Sequence, residues 1–209
     1  TGTTYDGVVS YGTLGKDKYW KRKMLEQISD GSSFLDLACG TGILTREIAE
    51  KFPNSKIVGI DITKSYLDVA KENSSYFENI SFILDDAEEF KLDSKFDCIT
   101  ASYLPKYCDP EILVKNCTTH LKPGGKIIFH DFTYPKNLVV RGLWNLFLTS
   151  LRLVGCFIPS WKDALIGLPK LIRRTKWLES YSDVMKKNGL NVNRQYLTCG
   201  ASAILTGTK

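Results

Sequence analysis

A loop with two glycines follows a short apolar run in the first quarter of the chain. The apolar run 33–38 contains Asp36 and leads into Gly40, Thr41 and Gly42. Glycine lets the backbone turn tightly and approach a ligand closely, and a helix that starts after such a loop presents unpaired N–H groups. The Gly-Thr-Gly spacing is shorter than GxGxxG and no GK[ST] follows, which excludes a P-loop. The loop therefore indicates a ligand-binding turn at the end of a strand.

Carboxylates also end the next two apolar runs. Asp61 follows the loop by some twenty residues, and Asp85 and Asp86 end the run after that, ahead of Ala87. A carboxylate in the first position can accept hydrogen bonds from ribose hydroxyls, and one in the second can bind the exocyclic amine of adenine. Each acid alone is more often a helix cap or a solvated turn. Three acids at successive strand ends, after such a loop, indicate an adenosine ligand.

Strand and helix patterns alternate along the chain, and this alternation predicts the frame that positions the loop and the acids. It implies parallel βαβ units and a doubly wound α/β sheet, with a turn at 122–125. The last two strands are too close for a crossover helix, so we expect an antiparallel hairpin turning at Cys199 and Gly200. The predicted strands are 33–38, 56–61, 80–85, 95–102, 126–132, 190–197 and 202–208, and the predicted helices are 16–29, 42–52, 64–73, 110–121 and 177–188.

Residues 136–176 interrupt the alternation. The stretch LVVRGLWNLFLTSLRLVGCFIPSW is strongly apolar but includes Arg141, Asn145 and Arg152, and a basic segment, PKLIRRTKW, follows it. A membrane-spanning helix needs about 20 apolar residues with few charges, so the arginines and Pro159 argue against a span. We predict a helical cap on the edge of the sheet. Its apolar face either only packs on the sheet or also meets a lipophilic substrate or the bilayer interface.

Composition limits the class of protein. With 209 residues, 43% of them hydrophobic and 24% charged, one globular domain, 1–209, is expected, with an N-terminal helical segment, 1–30, and the cap insertion. The net charge of +5 suits anionic ligands or a membrane surface but is too small to indicate nucleic acid. Six scattered cysteines without a CxxC pair predict free thiols and no metal site. No signal peptide is visible, and a cytoplasmic protein is expected.

Several motifs resemble those of a known family. The segments LDLACGTG, VGID, DAEEF, FDCITAS and LKPGGKIIF occur in the order of the successive motifs of class I S-adenosylmethionine-dependent methyltransferases. The opening TYDGVVSYGTLGKDKYWKR and the ending YLTCGASAILTGTK resemble the opening segment and closing hairpin of the ubiquinone/menaquinone C-methyltransferases. This resemblance covers nearly the whole chain. It implies a Rossmann-like, seven-stranded, mostly parallel sheet with the C-terminal antiparallel hairpin.

The resemblance also implies the cofactor S-adenosyl-L-methionine and the product S-adenosyl-L-homocysteine. The glycine loop would wrap the methionyl part, Asp61 would hold the ribose, and Asp86 would contact adenine. Ser102, at the end of the fourth strand, would lie beside the sulfonium. The predicted cofactor-binding residues are Asp36, Ala38, Gly40, Thr41, Gly42, Asp61, Ile62, Asp86, Ala87 and Ser102.

The candidate catalytic residues lie at the ends of the fourth and fifth strands. Lys106 and Tyr107 follow the fourth strand, and His130 and Asp131 end the fifth. Period-two alternation puts His130 and Asp131 on opposite faces, so we expect one of them at most to point to the site. Asp131 matches an acid in the family pattern, and Lys106 could hold a phenolate by charge. His130 also fits a structural role at the sheet edge.

Two positions depart from the family pattern. Val9 stands where the family usually has Asn, and the segment 103–107, Tyr-Leu-Pro-Lys-Tyr, stands where the family usually has a glycine and then an Arg-Asn pair. In related enzymes the second segment faces the methyl acceptor. The departure therefore leaves both the acceptor and the identity of the base open.

The resemblance implies C-methylation of a prenylated quinol of the demethylmenaquinol or ubiquinol type. The expected partners are this lipophilic small molecule, the inner face of the membrane as a peripheral contact through Arg173, Arg174 and Lys176, and a second copy in a homodimer. A methyltransferase for another small molecule and a cofactor-binding subunit without catalysis stay open. Nucleic-acid methylation is disfavoured because no RNA-binding module and no Asn-Pro-Pro-Tyr type of sequence is evident.

Overall fold

Seven strands and seven helices are described in the computed structural model, which covers residues 12–155 and 162–209. Single turns of 3₁₀ helix occur at Pro105–Tyr107 and Thr198–Gly200. The strands are β1 Ser33–Leu37, β2 Lys56–Asp61, β3 Ile80–Leu84, β4 Phe96–Ser102, β5 Leu121–Phe132, β6 Asn191–Leu197 and β7 Ser202–Thr208. The helices are α1 Lys16–Gln27, α2 Ile43–Lys51, α3 Lys64–Asn73, α4 Pro110–Thr119, α5 Leu138–Gly155, α6 Lys162–Arg174 and α7 Trp177–Lys187.

The strands form one sheet in the order β3-β2-β1-β4-β5-β7-β6. Strands β1 to β5 pair in parallel, and β7 lies antiparallel between β5 and β6. The strand order reverses between β1 and β4, and ligands of open α/β sheets bind at the carboxyl ends of the strands at such a reversal. The predicted fold class, including the C-terminal antiparallel hairpin, is confirmed.

The predicted turn at 122–125 is wrong, because these residues belong to β5. The pairing of β5 with β4 shifts register here, but the neighbouring chain end supplies ladder bonds on the other side. Gly124 N donates to Lys209 O at 3.1 Å, and Lys209 N donates to Gly125 O at 3.0 Å. Pairing with the C-terminal Lys209 therefore makes residues 122–125 part of a strand, although their sequence is typical of a turn. The bounds of the other elements lie within a few residues of the prediction.

Helices cover both faces of the sheet, and successive strand residues serve opposite faces. On one face Trp20 of α1 and Ile48 of α2 pack in a buried cluster with Phe34. On the other face Leu113 of α4 and Tyr181 of α7 pack in a second cluster. The two clusters pack on opposite faces of the sheet and include residues of β1, β4 and β5.

Helices α5 and α6 lie within the predicted cap and pack on each other. Leu148 of α5 and Ile172 of α6 are both buried, and Ile172 belongs to the same cluster as Trp20. Across the described ranges, no helix is both long and apolar enough to cross a membrane. Five cysteines lie in these ranges and are free thiols. The division into one domain with an N-terminal segment and a cap insertion stays a prediction, and Val9, Cys156 and Pro159 lie outside the described residues.

Candidate active site

The glycine loop connects β1 to α2 and is fixed by backbone hydrogen bonds. Cys39 N donates to Ile60 O of β2, and Gly42 N donates to Cys39 O, both at 2.9 Å. Gly42 has a φ of +77°, and a Cβ at this position would approach the Phe82 ring to 3.2 Å and Ala70 Cβ to 3.3 Å. Both the left-handed backbone and the lack of space therefore favour glycine here. The loop ends at Ile43, the first residue of α2.

Asp36 lies beneath this loop, buried between α2 and β4. Its Oδ2 accepts a hydrogen bond from Thr45 Oγ1 at 2.7 Å, and its Oδ1 accepts one from Thr100 Oγ1 at 2.8 Å. Burial raises the pKa of Asp36 to about 6, although the two threonine hydroxyls oppose the rise. The ionised carboxylate is therefore costly here, and an added positive charge nearby would stabilise it.

Asp61 is held at the end of β2 by two backbone N–H groups. Gly40 N donates to its Oδ2 and Thr63 N to its Oδ1, each at 2.8 Å. Each carboxylate oxygen has a second lone pair, so the side chain can still accept hydrogen bonds from a pair of hydroxyls. The glycine loop and the first acid of the predicted adenosine site are thus connected directly.

Two adjoining cavities follow the ends of β1 to β4, and Ala38 lines both of them. The smaller has a volume of about 40 Å³ and the larger about 220 Å³. The smaller is lined by Lys21, Asp36, Ala38, Cys39, Gly40, Thr41, Ile43, Leu44, Ser102 and Tyr103. The larger is lined by Ala38, Ile60, Asp61, Ile62, Asp85, Asp86, Ala87, Glu88, Leu104, Tyr107 and Cys108.

Nine of the ten predicted cofactor-binding residues line this pair of cavities, and Gly42 lies at the end of the loop on the side that faces Phe82 and Ala70. The donor set fits an adenosine joined to an amino acid. Carboxylates at the ends of β2 and β3 suit hydroxyl and amine donors, and Ile62 is an exposed apolar residue that could cover a base. Asp86 also accepts a hydrogen bond from Glu88 N at 2.8 Å, which fixes its carboxylate at the cavity wall.

His130 is fully buried between two serine hydroxyls. Its Nδ1 lies 3.0 Å from Ser102 Oγ, and its Nε2 lies 2.6 Å from Ser202 Oγ. Burial and the charges of Lys21 and Lys106 hold the pKa of His130 well below its usual value, so the imidazole is neutral. Ser102 lines the smaller cavity, which links this histidine to the cofactor cleft.

Asp131 points to the opposite side of β5, where it forms a buried ion pair with Lys106. Lys106 Nζ lies 2.9 Å from Asp131 Oδ1, and Lys106 N donates to Asp131 Oδ2 at 3.0 Å. Phe132 N also donates to Oδ1 at 2.8 Å, and Lys106 Nζ donates to Tyr103 O at 2.5 Å. Burial raises the pKa of Asp131 and lowers the pKa of Lys106, while their pairing opposes both shifts. The pair fixes the 3₁₀ turn of the segment 103–107.

Tyr107 lies on the outer side of that turn. Its side chain is 65% exposed and lines the larger cavity, and Lys106 Nζ lies 4.4 Å from its ring centroid. The four candidate catalytic residues are therefore spread over three places, and their roles stay predictions. Tyr5 of the opening segment could close over the site, and it lies outside the described residues.

Three polar residues of this site were missed in the sequence. Lys21 of α1 lines the smaller cavity and forms an ion pair with Asp17 one turn earlier. Tyr103 OH donates to the same carboxylate, Asp17 Oδ1, at 2.8 Å. The four-residue spacing of acid and base on an amphipathic helix was the available signal, but it is common on solvent-exposed helices.

A third cavity, of about 500 Å³, lies farther along the same edge of the sheet. It shares no lining residue with the cofactor cleft and lies between the end of β5, helices α6 and α7, and the β6–β7 turn. Aromatic and aliphatic side chains dominate one part of its wall, and exposed cations occupy another. These residues are Tyr134, Ile172, Trp177, Leu178 and Tyr196, and Lys136, Arg173 and Lys176.

Comparison with known proteins agrees with this site. A family model described as a methyltransferase domain matches residues 28–151. The ubiquinone/menaquinone biosynthesis C-methyltransferase UbiE of Hahella chejuensis is 29% identical, with 98% of this chain and 86% of that protein covered.

Solved structures share the fold at low identity. The S-adenosylmethionine-dependent methyltransferase SibL matches with a TM-score of 0.67 and 12% identity over 98% of this chain, which spans only 57% of SibL. The N-methyltransferase NodS from Bradyrhizobium japonicum, in complex with S-adenosyl-L-homocysteine, matches with a TM-score of 0.59 and 15% identity, covering 92% of this chain and 87% of NodS. The chain thus belongs to the methyltransferase-domain family and is an S-adenosylmethionine-dependent methyltransferase.

Proposed function

We propose that this methyltransferase methylates a ring carbon of a prenylated quinol of the demethylmenaquinol or ubiquinol type. The observation that carries this proposal is a row of aromatic side chains between the cofactor cleft and α5. Tyr103, which lines the smaller cavity, stacks on Phe132 with 5.2 Å between ring centroids. Phe132 lies 6.0 Å from Trp144, and Trp144 lies 5.8 Å from Phe147. An aromatic acceptor with an apolar tail is the kind of ligand that such a surface suits.

One buried donor in this row supports an acceptor that carries oxygen. The indole Nε1 of Trp144 is buried and has no hydrogen-bond partner within the described ranges. A buried polar group without a partner costs free energy, on the order of 1–3 kcal/mol. A quinol oxygen bound along the row could accept this hydrogen bond, and the third cavity beside Tyr134 has room for part of a tail.

The cofactor residues have distinct proposed tasks. Asp61 would hold the ribose, Asp86 the adenine amine, and the glycine loop the methionyl part. We add Lys21, whose side chain lines the smaller cavity and could pair with the carboxylate of the methionyl group. When bound, S-adenosyl-L-methionine supplies a methyl group already activated on sulfur. The protein then has to align the acceptor carbon and exclude water.

Proton removal from the quinol hydroxyl is assigned to Ser102 and His130. Ser102 lines the cavity and is hydrogen-bonded to a neutral imidazole, which would hold the proton only transiently because burial and the charges of Lys21 and Lys106 lower the pKa of His130. Asp131 is engaged by Lys106 and by Phe132 N, so we propose that it positions the segment 103–107. Substitution His130→Asn should then change the pH profile of kcat, whereas Asp131→Asn should act chiefly through stability.

The name of the Hahella chejuensis relative supports a quinone acceptor, and the departure at 103–107 supports a different small molecule instead. Methyl transfer from labelled S-adenosylmethionine to reduced demethylmenaquinone and to demethoxy-type ubiquinol analogues distinguishes the two. Transfer of label to a quinol would support the proposal if Asp61→Ala abolishes it and Asp68→Ala does not. Asp68 is an exposed aspartate in α3 and serves as the control. Binding of S-adenosylhomocysteine without label in any quinol would contradict the acceptor but not the methyltransferase.

A prenylated acceptor would also place the working enzyme at the cytoplasmic face of the membrane.

A further inference from the structure

Helix α5 carries an exposed apolar stripe that the fold does not use. Val139, Leu143, Leu146 and Leu153 are each between 63% and 73% exposed. Their spacing places them within about 80° of arc on one helix face, at 3.6 residues per turn. We call these four residues the α5 stripe. Contiguous exposed apolar surface of this kind usually marks a contact with another molecule or a membrane.

The opposite face of α5 already makes the packing contacts that hold the helix. Leu148 is buried, and Trp144 and Phe147 lie in the aromatic row beside Phe132. Ser150 interrupts the α5 stripe, but its hydroxyl donates to Phe147 O at 2.7 Å. Thr149 likewise donates to Asn145 O at 2.8 Å. Hydroxyls satisfied within the helix suit an apolar environment, where water cannot replace the bond.

The positive charge of the protein is concentrated next to the α5 stripe. Residues 136–176 contain eight lysines and arginines and one acid, a net charge of +7, whereas the whole chain carries +5. The rest of the chain therefore has a net charge of −2. Lys136, Lys170, Arg174 and Lys176 are all exposed.

Another cation of this region, Arg173, is bound directly to α5. Arg173 Nη2 donates to Asn145 Oδ1 at 2.8 Å, and the guanidinium groups of Arg173 and Arg141 each lie 5.9 Å from the Tyr134 ring centroid. Asn145 lies about 80° around the helix from the edge of the α5 stripe, between the stripe and the buried Leu148. The basic end of α6 therefore contacts the flank of α5 next to the apolar face. An apolar face bordered by cations is typical of helices that lie in the interface of an anionic membrane.

We propose that the α5 stripe docks into the surface of an anionic bilayer, with the end of α6 contacting the headgroups. Charge favours this occupant over a second copy of the chain, because two caps of +7 would repel each other while an anionic surface attracts them. The proposal extends the proposed function by naming the surface through which a bilayer-dissolved acceptor would be reached. Its test measures binding and not methyl transfer, so that it can fail independently of the acceptor.

The test is flotation of the full chain with vesicles of phosphatidylcholine alone or mixed with phosphatidylglycerol. We expect binding only to the mixed vesicles, weakened by high salt. Leu143→Ser/Leu146→Ser and Lys170→Gln/Arg174→Gln should each weaken it roughly ten-fold or more. The matched control Tyr76→Ser/Ile112→Ser removes two exposed apolar side chains elsewhere and should bind as the unmodified protein does. Unchanged binding of S-adenosylhomocysteine by each variant verifies its fold.

Three results would overturn the proposal. The first is a lack of binding to phosphatidylglycerol vesicles. The second is equal binding by the Leu143→Ser/Leu146→Ser variant and the Tyr76→Ser/Ile112→Ser control. The third is a concentration-dependent dimer in light scattering that the leucine substitutions abolish, which would make the α5 stripe a contact between two copies.

Discussion

The two sides of the carboxyl edge of the sheet are held by different kinds of interaction. Beside β1 and β2, backbone N–H groups of Gly40 and Thr63 fix the carboxylate of Asp61, and the loop is closed by main-chain bonds. Beside β4 and β5, backbone N–H groups also bind Asp131, but contacts between side chains are added to them. Tyr103 stacks on Phe132, and a buried ion pair fixes the turn between the two strands.

This difference explains where the sequence departs from the family pattern. A geometry made of main-chain bonds needs glycine and a few acids, and the cofactor side has the family's motifs. A geometry made of side chains changes with each substitution, and the departing segment 103–107 lies on that side. The acceptor is therefore expected to be decided by the side-chain half. Four substitutions test this division, in decreasing order of expected effect.

Lys106→Met tests the side-chain half by leaving Asp131 buried without its partner. Removal of one member of a buried pair typically costs about 3–5 kcal/mol in the free energy of unfolding. Because an apolar pair avoids the uncompensated charge, Lys106→Met/Asp131→Leu should regain most of that loss. Urea unfolding measures both. A single variant within about 1 kcal/mol of the unmodified protein would mean that the ion pair does not hold the 103–107 turn.

Asp61→Ala tests the main-chain half. It removes a carboxylate that we expect to bind two hydroxyls, and hydrogen bonds to charged groups contribute about 1.5–3 kcal/mol each. Affinity for S-adenosylhomocysteine should fall roughly 10²–10³-fold, or about 3–4 kcal/mol. Calorimetric titration measures the change, with Asp68→Ala as the control at an exposed site on the following helix. Equal affinities in the two variants would remove Asp61 from the cofactor site.

The same division, between features set by local sequence and features set by distant contacts, separates what could be predicted from the sequence from what could not. The bounds of β2, α3 and β7 were predicted in full because apolar runs and turn residues are local signals. The loop and the acids at strand ends were also local. The extension of β5 depends on Lys209, at the end of the chain, and so it was missed. The contact of Tyr103 with Asp17 joins residues 86 positions apart, and no periodicity reports which side chains meet over that distance.

His130 and Asp131 show how far the pattern reaches. Alternation along the strand correctly separated them onto opposite faces. Their partners could not be predicted, because Ser202 and Lys106 come from other elements and meet them only when the sheet and the 3₁₀ turn are packed. The pattern therefore identified the candidates but not which of them is engaged in holding the fold.

Asp36→Asn tests the main-chain half through the pH dependence of the free energy of unfolding. Burial raises the pKa of Asp36 to about 6, so the folded protein binds a proton that the unfolded chain has released. Between about pH 4 and pH 6 the folded form thus binds more protons, and its stability falls as pH rises, by at most about 3 kcal/mol. The Asn variant lacks this loss, so its stability relative to the unmodified protein should improve from about pH 4 to about pH 7.

Urea unfolding at both ends of that range measures the difference, with Asp30→Asn as an exposed control. A stability difference between Asp36→Asn and the unmodified protein that does not change with pH would contradict the assignment. Because a positive charge bound beside Asp36 favours its ionised form, saturating S-adenosylmethionine should flatten the pH dependence of the unmodified protein.

Ala38→Gly should have the smallest effect. Ala38 has a φ of +51°, a left-handed conformation that costs an alanine roughly 1 kcal/mol. Glycine removes that cost in the folded state but gains about 0.5–1 kcal/mol of freedom in the unfolded chain, so stability should change by less than about 1 kcal/mol. Affinity for S-adenosylhomocysteine should stay close to that of the unmodified protein, because the loop is held by main-chain bonds.

Ala38→Val, in contrast, adds a β-branched side chain at positive φ beside both cavities and should weaken stability and affinity together. If the glycine variant lost affinity as strongly as the valine variant, the Ala38 side chain would be a cofactor contact, and the main-chain account of this half of the site would be wrong.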